Sequence, residues 1–334
     1  PGTPAYVPAA ATTTQSSAPL VTGTAMQAWI THTGKLNPTQ PVPPTKQGTI
    51  TRTYEGHTGR VNALAWSADS RSIASASDDR TVQVWKSGSG QMLALYDGHS
   101  HSRKRWQTNH VNTVVWSPVR DMLASSGDDG VIRIWRAEPE PHTLLTYDKH
   151  KGKVESIGWS PDGKLLASVS QDTLHLWNPD TGKTLARFDG YSGTIYCLDW
   201  SPDNTQLVLG HENGSLEIVN VVAQNTMLER QKVYTGHRGK ITNVRWSPDG
   251  TRIASTGTGE GIQIWEAASN RCLLEYTRNH SPVHALDWSP DSHAIVSAGG
   301  DGRIQIWNVQ NKQHIYTHPS YNTMVRAIAW SPDG

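Results

Sequence analysis

A short apolar stretch ending in Trp-Ser returns seven times along the 334 residues, as ALAWS, TVVWS, SIGWS, CLDWS, NVRWS, ALDWS and AIAWS. Its tryptophans are Trp66, Trp116, Trp159, Trp200, Trp246, Trp288 and Trp330, spaced 50, 43, 41, 46, 42 and 42 residues apart. A period in the low forties with two insertions marks a stacked repeat, in which each unit is a module too small to bury both its faces alone. The aromatic usage agrees. Fourteen Trp and ten Tyr against a single Phe is the bias of one motif copied many times.

Each unit keeps one internal order. Trp-Ser leads into Pro-Asp-Gly or a close variant, where Pro pre-sets φ at the first corner and Asp and Gly suit the later ones, so a tight turn is expected. An alternating small and apolar run follows, such as SIASAS or LLASVS, then a second turn rich in Asp and Gly. The third run ends in Trp (TVQVW, VIRIW, TLHLW, GIQIW, RIQIW), and a fourth, such as MLALY or TLLTY, leads to a Gly-His or Asn-His pair. Four short period-two strands separated by turns predict a small antiparallel sheet, and sheets stacked around an axis cover each other's faces.

From about Thr49 to Gly334 the chain resembles the WD40-repeat β-propellers, and seven Trp-Ser strands imply seven four-stranded blades. The resemblance implies a hydrogen-bonded set of His, Ser, Asp and Trp in each blade. The matching residues are His57, Ser75, Asp79 and Trp85; His150, Ser168, Asp172 and Trp177; and His280, Ser297, Asp301 and Trp307. The second unit offers Ser125, Asp129 and Trp135, with its His obscured by an insertion. The unit around Trp200 has Tyr191, Leu209, Asn213 and Val219 at these places, and the next keeps His237, Ser255 and Trp265 but has Gly259 for Asp. The family's Asp after the third-strand Trp is replaced throughout, by Lys86, Arg136, Asn178, Glu266 and Asn308. Because the His-Asp pairs recur from blade to blade, they read as scaffold and not as one active site.

The two ends set the ring's closure. The last unit stops at WSPDG, and TITRTY (Thr49 to Tyr54) ahead of the first unit supplies an outermost closing strand. Two further strands are open to two sources. One is the stretch Ala25 to Leu36, with residues 25–30 donating a strand; the other, preferred, is a natural chain that continues past Gly334. The organisation expected is a linker over 1–48, rich in Pro, Thr, Ala and Ser, followed by a propeller over 49–334. Such a tether resembles those joining bacterial WD40 arrays to a second module, often a signalling kinase, and so implies a covalently linked upstream module.

Thirty basic against 29 acidic residues leave a net charge of +1, which does not point to a nucleic-acid partner. No apolar run approaches a membrane span, so no membrane contact is expected from this segment. Cys197 and Cys272 stand alone in apolar runs and form neither a disulfide framework nor a metal spacing. Enzyme patterns fail: GTGEG (Gly257 to Gly261) precedes no helix, and neither a nucleophile elbow nor a zinc-protease motif is present. No catalytic residue, metal or cofactor is expected.

The resemblance places partner contacts at the residues flanking the start of each first strand and at the residue before the turn Asp. In this chain these include Arg60, Asn62, His110, Asn112, Lys153, Glu155, Tyr196, Lys240, Thr242, His284 and Arg326, opposed by Asp78, Asp128, Gln171, Glu212, Thr258 and Gly300. Beside them lies the most individual stretch of the chain, the insertion SHSRKRWQTN at 100–109. Arg103, Lys104, Arg105 and Trp106 suit an acidic protein surface, with Trp as anchor. A second reading is a glycan or other polyanion held by the same cations, and a third is a metal on His99, His101 and His110, which no acid or Cys completes. The function expected is therefore a non-catalytic scaffold that binds a protein or peptide on the top face, with glycan or polyanion recognition through 100–109 as the alternative.

Overall fold

The computed structural model describes residues 27–30, 50–101, 108–191, 193–222, 227–259, 261–269, 271–276, 281–318 and 323–334. Two strands, β1 (Gln27–Ile30) and β2 (Ile50–Tyr54), pair antiparallel as a sheet of their own. Then β3 (Val61–Trp66), β4 (Ser72–Ser77), β5 (Val82–Lys86) and β6 (Met92–Tyr96) form the first blade, in sequential antiparallel order. Five more four-stranded sheets cover 111–147, 156–188, 195–235, 241–276 and 283–318 with the same order. The fold is an all-β propeller.

The expected count of seven blades is corrected to six. The chain supplies six complete sets of four strands. The seventh Trp-Ser run has no strand ladder, since residues 323–334 contain no strand, and among the described residues the two N-terminal strands pair only with each other. The terminal segment is nevertheless tied at both sides: Trp330 N donates to Asp287 Oδ2 at 2.7 Å, and Ala329 O accepts from Trp66 Nε1 at 3.3 Å. It thus bridges blade 6 and blade 1.

The repeated residues explain themselves in pairs. The Trp of a first strand reaches back one blade: Trp200 Nε1 donates to Gly158 O at 3.0 Å and Trp288 Nε1 to Arg245 O at 3.2 Å. The Ser after it clamps the first turn. Ser67, Ser160, Ser201, Ser247 and Ser289 each donate to the Asp two residues on and accept the N–H five residues on. The second blade has Val119 where the others have Asp, and there it is exposed.

The core lies between neighbouring blades. Ala74, Val82, Val84 and Tyr96 of blade 1 pack on Val111, Val114, Leu123 and Trp135 of blade 2. Fourth-strand Tyr rings meet the third-strand Trp of the next blade: Tyr96–Trp135 and Tyr147–Trp177 stack with centroids 4.4 and 4.3 Å apart, Tyr276–Trp307 is tilted at 4.7 Å, and Tyr234 meets Trp265 edge-on at 5.4 Å. Tyr54 of β2 stacks on Trp85 at 4.7 Å. Such stacking adds about 0.5–1.5 kcal/mol per pair beyond simple burial.

Candidate partner-binding face

Beneath the rim, each blade anchors its loops through a buried polar set. In blade 1, His57 Nε2 meets Ser75 Oγ at 2.9 Å and Nδ1 meets Asp79 Oδ2 at 2.7 Å, tying the approach to the first strand to the second turn. Burial opposes ionisation of Asp79, but the bonds from His57 and Thr81 outweigh it and hold the carboxyl below its ordinary value. In blade 2 the histidine obscured by the insertion is His99, with Ser125 Oγ at 2.9 Å and Asp129 Oδ2 at 3.3 Å. This engagement removes His99 from the three-histidine metal reading. Arg133 adds a bond to Asp129 at 2.6 Å.

The other sets are altered. From Ser168 to Trp177 is nine residues, against ten between the matching pairs elsewhere, so the turn of blade 3 is one residue short. His150 reaches Ser168 Oγ at 2.7 Å, but its Nδ1 has no hydrogen-bond partner among the described residues. The ring stacks on His175 at 4.0 Å instead of meeting Asp172. Blade 4 substitutes a different network: Glu217 joins His211 (3.4 Å) to Arg230 (2.9 Å), whose guanidinium covers Tyr191 at 4.4 Å. In blade 5, His237 Nε2 and Trp265 Nε1 both meet Ser255 Oγ, at 2.7 and 2.9 Å, and with Gly259 in the place of Asp, His237 Nδ1 has no partner among the described residues. Burial lowers the pKa of His150 to about 3 and of His237 to about 4. In blade 6, Trp307 Nε1 donates to Ser297 Oγ at 3.3 Å, while His280 lies outside the described residues.

One backbone bond fixes the rim. The residue before the turn Asp donates its N–H to the carbonyl two residues before the second residue of the first strand: Asp78 to Arg60 (2.8 Å), Asp128 to His110 (3.0 Å), Glu212 to Thr194 (2.9 Å), Thr258 to Lys240 (3.0 Å) and Gly300 to Pro282 (3.1 Å). The two groups of contact positions therefore stand side by side in five blades, and the shortened turn of blade 3 departs from the pattern.

The side chains on this rim segregate by charge. Across blades 1 to 3, Asn62 Nδ2 donates to Asp78 Oδ1 at 2.8 Å and Asn112 Nδ2 to Asp128 Oδ1 at 2.9 Å. His110 Nδ1 lies between the two carboxylates, at 3.4 and 3.6 Å. Lys153, read from sequence as part of a basic fraction, is engaged with Glu155 at 3.2 Å and reaches Asp128 at 4.0 Å, so this sector is acidic in balance. Arg60 stands exposed beside it. Across blades 4 to 6 the sign reverses. Lys240 Nζ lies over the Tyr196 ring at 4.4 Å. Burial first, and then the nearby charges of Arg326 and Lys240, hold the His284 imidazole below its ordinary value, so the positive charge of this sector is carried by Lys240 and Arg326. Arg103, Lys104, Arg105 and Trp106 lie outside the described residues.

Sequence reasoning overlooked the Tyr-on-Trp stacks and the Arg133, His175 and Glu217 position. All three stand two residues before the place of the third-strand Trp and rewrite the polar set of their blade. Among the described residues no group of three or more His, Cys, Asp and Glu could hold a metal ion.

Repeated four-stranded blades, interleaved by Trp and Tyr and crowned by a polar rim, define a β-propeller. Two family models match it: the WD domain, G-beta repeat, at residues 48–86, 90–136, 228–266 and 270–308, and the WD40 domain of anaphase-promoting complex subunit 4 at 114–201. Together they cover well over half of the sequence, and the chain belongs to the WD40-repeat family. Similar curated proteins carry the name "Probable cytosolic iron-sulfur protein assembly protein 1" in two strains of Cryptococcus neoformans var. neoformans serotype D, each 33% identical over 112 residues. That stretch is 34% of this chain and 22% of the fungal proteins, so the match spans less than a quarter of their length.

Proposed function

We propose that this propeller is a non-catalytic scaffold that docks a protein or peptide on the rim bearing Arg60, Tyr196, Lys240, His284 and Arg326. The observation that carries the reading is the division of that rim into an acidic sector around Asp78 and Asp128 and a basic sector of Lys240 and Arg326 beside His284. A surface with both signs fixed in place sets the orientation of a partner and speeds its encounter. Tyr196, held under Lys240, supplies the aromatic anchor that interfaces favour. The similar fungal proteins are named for an assembly role, which fits a partner-binding part for a repeat of this kind. A covalently linked module on the far side of residues 1–48 belongs to the same reading and rests on the composition of that stretch. The test is quantitative affinity capture with the wild type and the charge-reversed Lys240→Glu, Arg326→Glu variant. Loss of a defined partner set in the variant supports the proposal; an unchanged set overturns it.

A further inference from the structure

On the opposite edge of the ring, between blades 5 and 6, lies a groove of about 370 Å³. It is lined by the cations Arg252, Arg271 and Lys312 together with Cys272, Leu274 and Val309. Arg252 opens the second strand of blade 5, Cys272 and Leu274 stand on that blade's outermost strand, and Lys312 occupies a turn of blade 6. No repeat rule places a cation at the first of these. The residue six after the Trp is Ser72, Met122, Leu165, Gln206, Arg252 and Ala294 in blades 1 to 6, so the charge is particular to this site.

The cations differ in how they are held. Arg252 Nη2 donates to Asp249 Oδ2 at 3.1 Å and to Ser292 O at 3.0 Å, which crosses to blade 6, and its guanidinium lies 5.4 Å from the Trp288 ring centre. It is preorganised, with donors to spare, because a guanidinium has five. Arg271 Nε is 3.9 Å from Glu266 Oε2, a loose contact, and Lys312 forms no ion pair among the described residues. Among the described residues no acidic one lines the groove. The volume falls at the low end of the range of small-molecule sites.

We propose that this groove binds a small phosphate-bearing anion with an apolar body: the phosphate between Arg252, Arg271 and Lys312, the body on Leu274 and Val309. Planar guanidinium forks match phosphate oxygens and an ammonium adds a mobile point charge. This site is separate from the rim.

Cys272 provides the reporter. It is exposed and lines the groove, whereas Cys197 is buried with its thiol pushed up to about 12. The experiment measures the rate at which folded full-length protein reacts with the neutral disulfide 4,4′-dithiodipyridine, with and without phenyl phosphate as probe. Benzyl alcohol at the same concentration and sodium chloride at matched ionic strength serve as controls. Phenyl phosphate is expected to slow Cys272 at least fivefold while the controls leave the rate within twofold. The exposed-charge variant Arg271→Gln, Lys312→Gln, checked for unchanged circular dichroism, is expected to lose the protection. Equal slowing by salt, or protection that survives in the folded variant, overturns the proposal. Should that variant fail to fold, Lys312→Gln alone is read by the same rates.

Discussion

Blade 5 lacks one member of its polar set, and restoring it gives a measurable gain. The perturbation is Gly259→Asp. In blade 1 the matching carboxylate of Asp79 meets His57 Nδ1 at 2.7 Å, while His237 Nδ1 is buried without a partner among the described residues. A Cβ added at residue 259 would meet nothing closer than 3.6 Å, so the side chain enters without a clash. A buried unsatisfied group costs about 1–3 kcal/mol, and replacing Gly restricts the unfolded chain for a further ~0.5 kcal/mol. Set against the desolvation of the new carboxylate, the net gain is about 1–2 kcal/mol, or roughly 5- to 30-fold in the local opening equilibrium. The gain also depends on pH. The folded pKa of His237 is lowered to about 4 by burial, below its unfolded value of about 6.5. As pH falls through that window the unfolded state takes up the proton first, and the wild type loses stability. Pairing with Asp raises the folded pKa towards the unfolded one and removes that loss. Hydrogen exchange over 252–266 should therefore slow in the variant, more at pH 5 than at pH 8, with blade 1 peptides unchanged. Equal slowing at both pH values, or no slowing at pH 5, refutes the reasoning.

Three further outcomes are expected. Ser125→Ala removes the shared partner of His99 and Trp135 and should destabilise by about 2–3 kcal/mol, read as a lowered urea midpoint with far-UV circular dichroism retained at low denaturant. The wild-type chain should lose stability between about pH 6.5 and 4, because burial lowers the pKa of His150 to about 3 and of His175 and His237 to about 4; each contributes up to ~1.4 kcal/mol per pH unit in that window, and a urea midpoint independent of pH there would contradict it. Replacing Arg103, Lys104 and Arg105 with Ser is expected to abolish salt-sensitive retention on heparin if a polyanion is held at 100–109, and unchanged retention removes that reading.

Much of the architecture was legible because a repeat writes the same physical need many times. The Trp-Ser strands, the turn Asp and the third-strand Trp announced the blade, and His57 and Asp79 lie where their spacing put them. The blade count was less legible. Seven Trp-Ser runs suggested seven first strands, but a run such as 325–330 becomes a strand of a sheet only when partners pair with it, and pairing is not written in the run itself. Single-residue effects were hidden as well. The turn of blade 3 is short by one residue, which separates Asp172 from His150, and sequence offered no reason to expect His175 to stack in its place. On the rim, charges could be enumerated but not paired. Lys153 counted as a free cation until its contacts with Glu155 and Asp128 appeared.

The claim that a partner docks on the charged rim is tested most directly by photo-crosslinking from single positions in living cells. A photoreactive residue at His284, in the basic sector, is compared with one at Val119, 58% exposed in a first turn on the opposite face. The account predicts a discrete crosslinked partner from position 284 that disappears when Lys240 and Arg326 are reversed in charge, and none from position 119. The same partner captured from position 119 alone, or a crosslink at 284 indifferent to those charges, would contradict it.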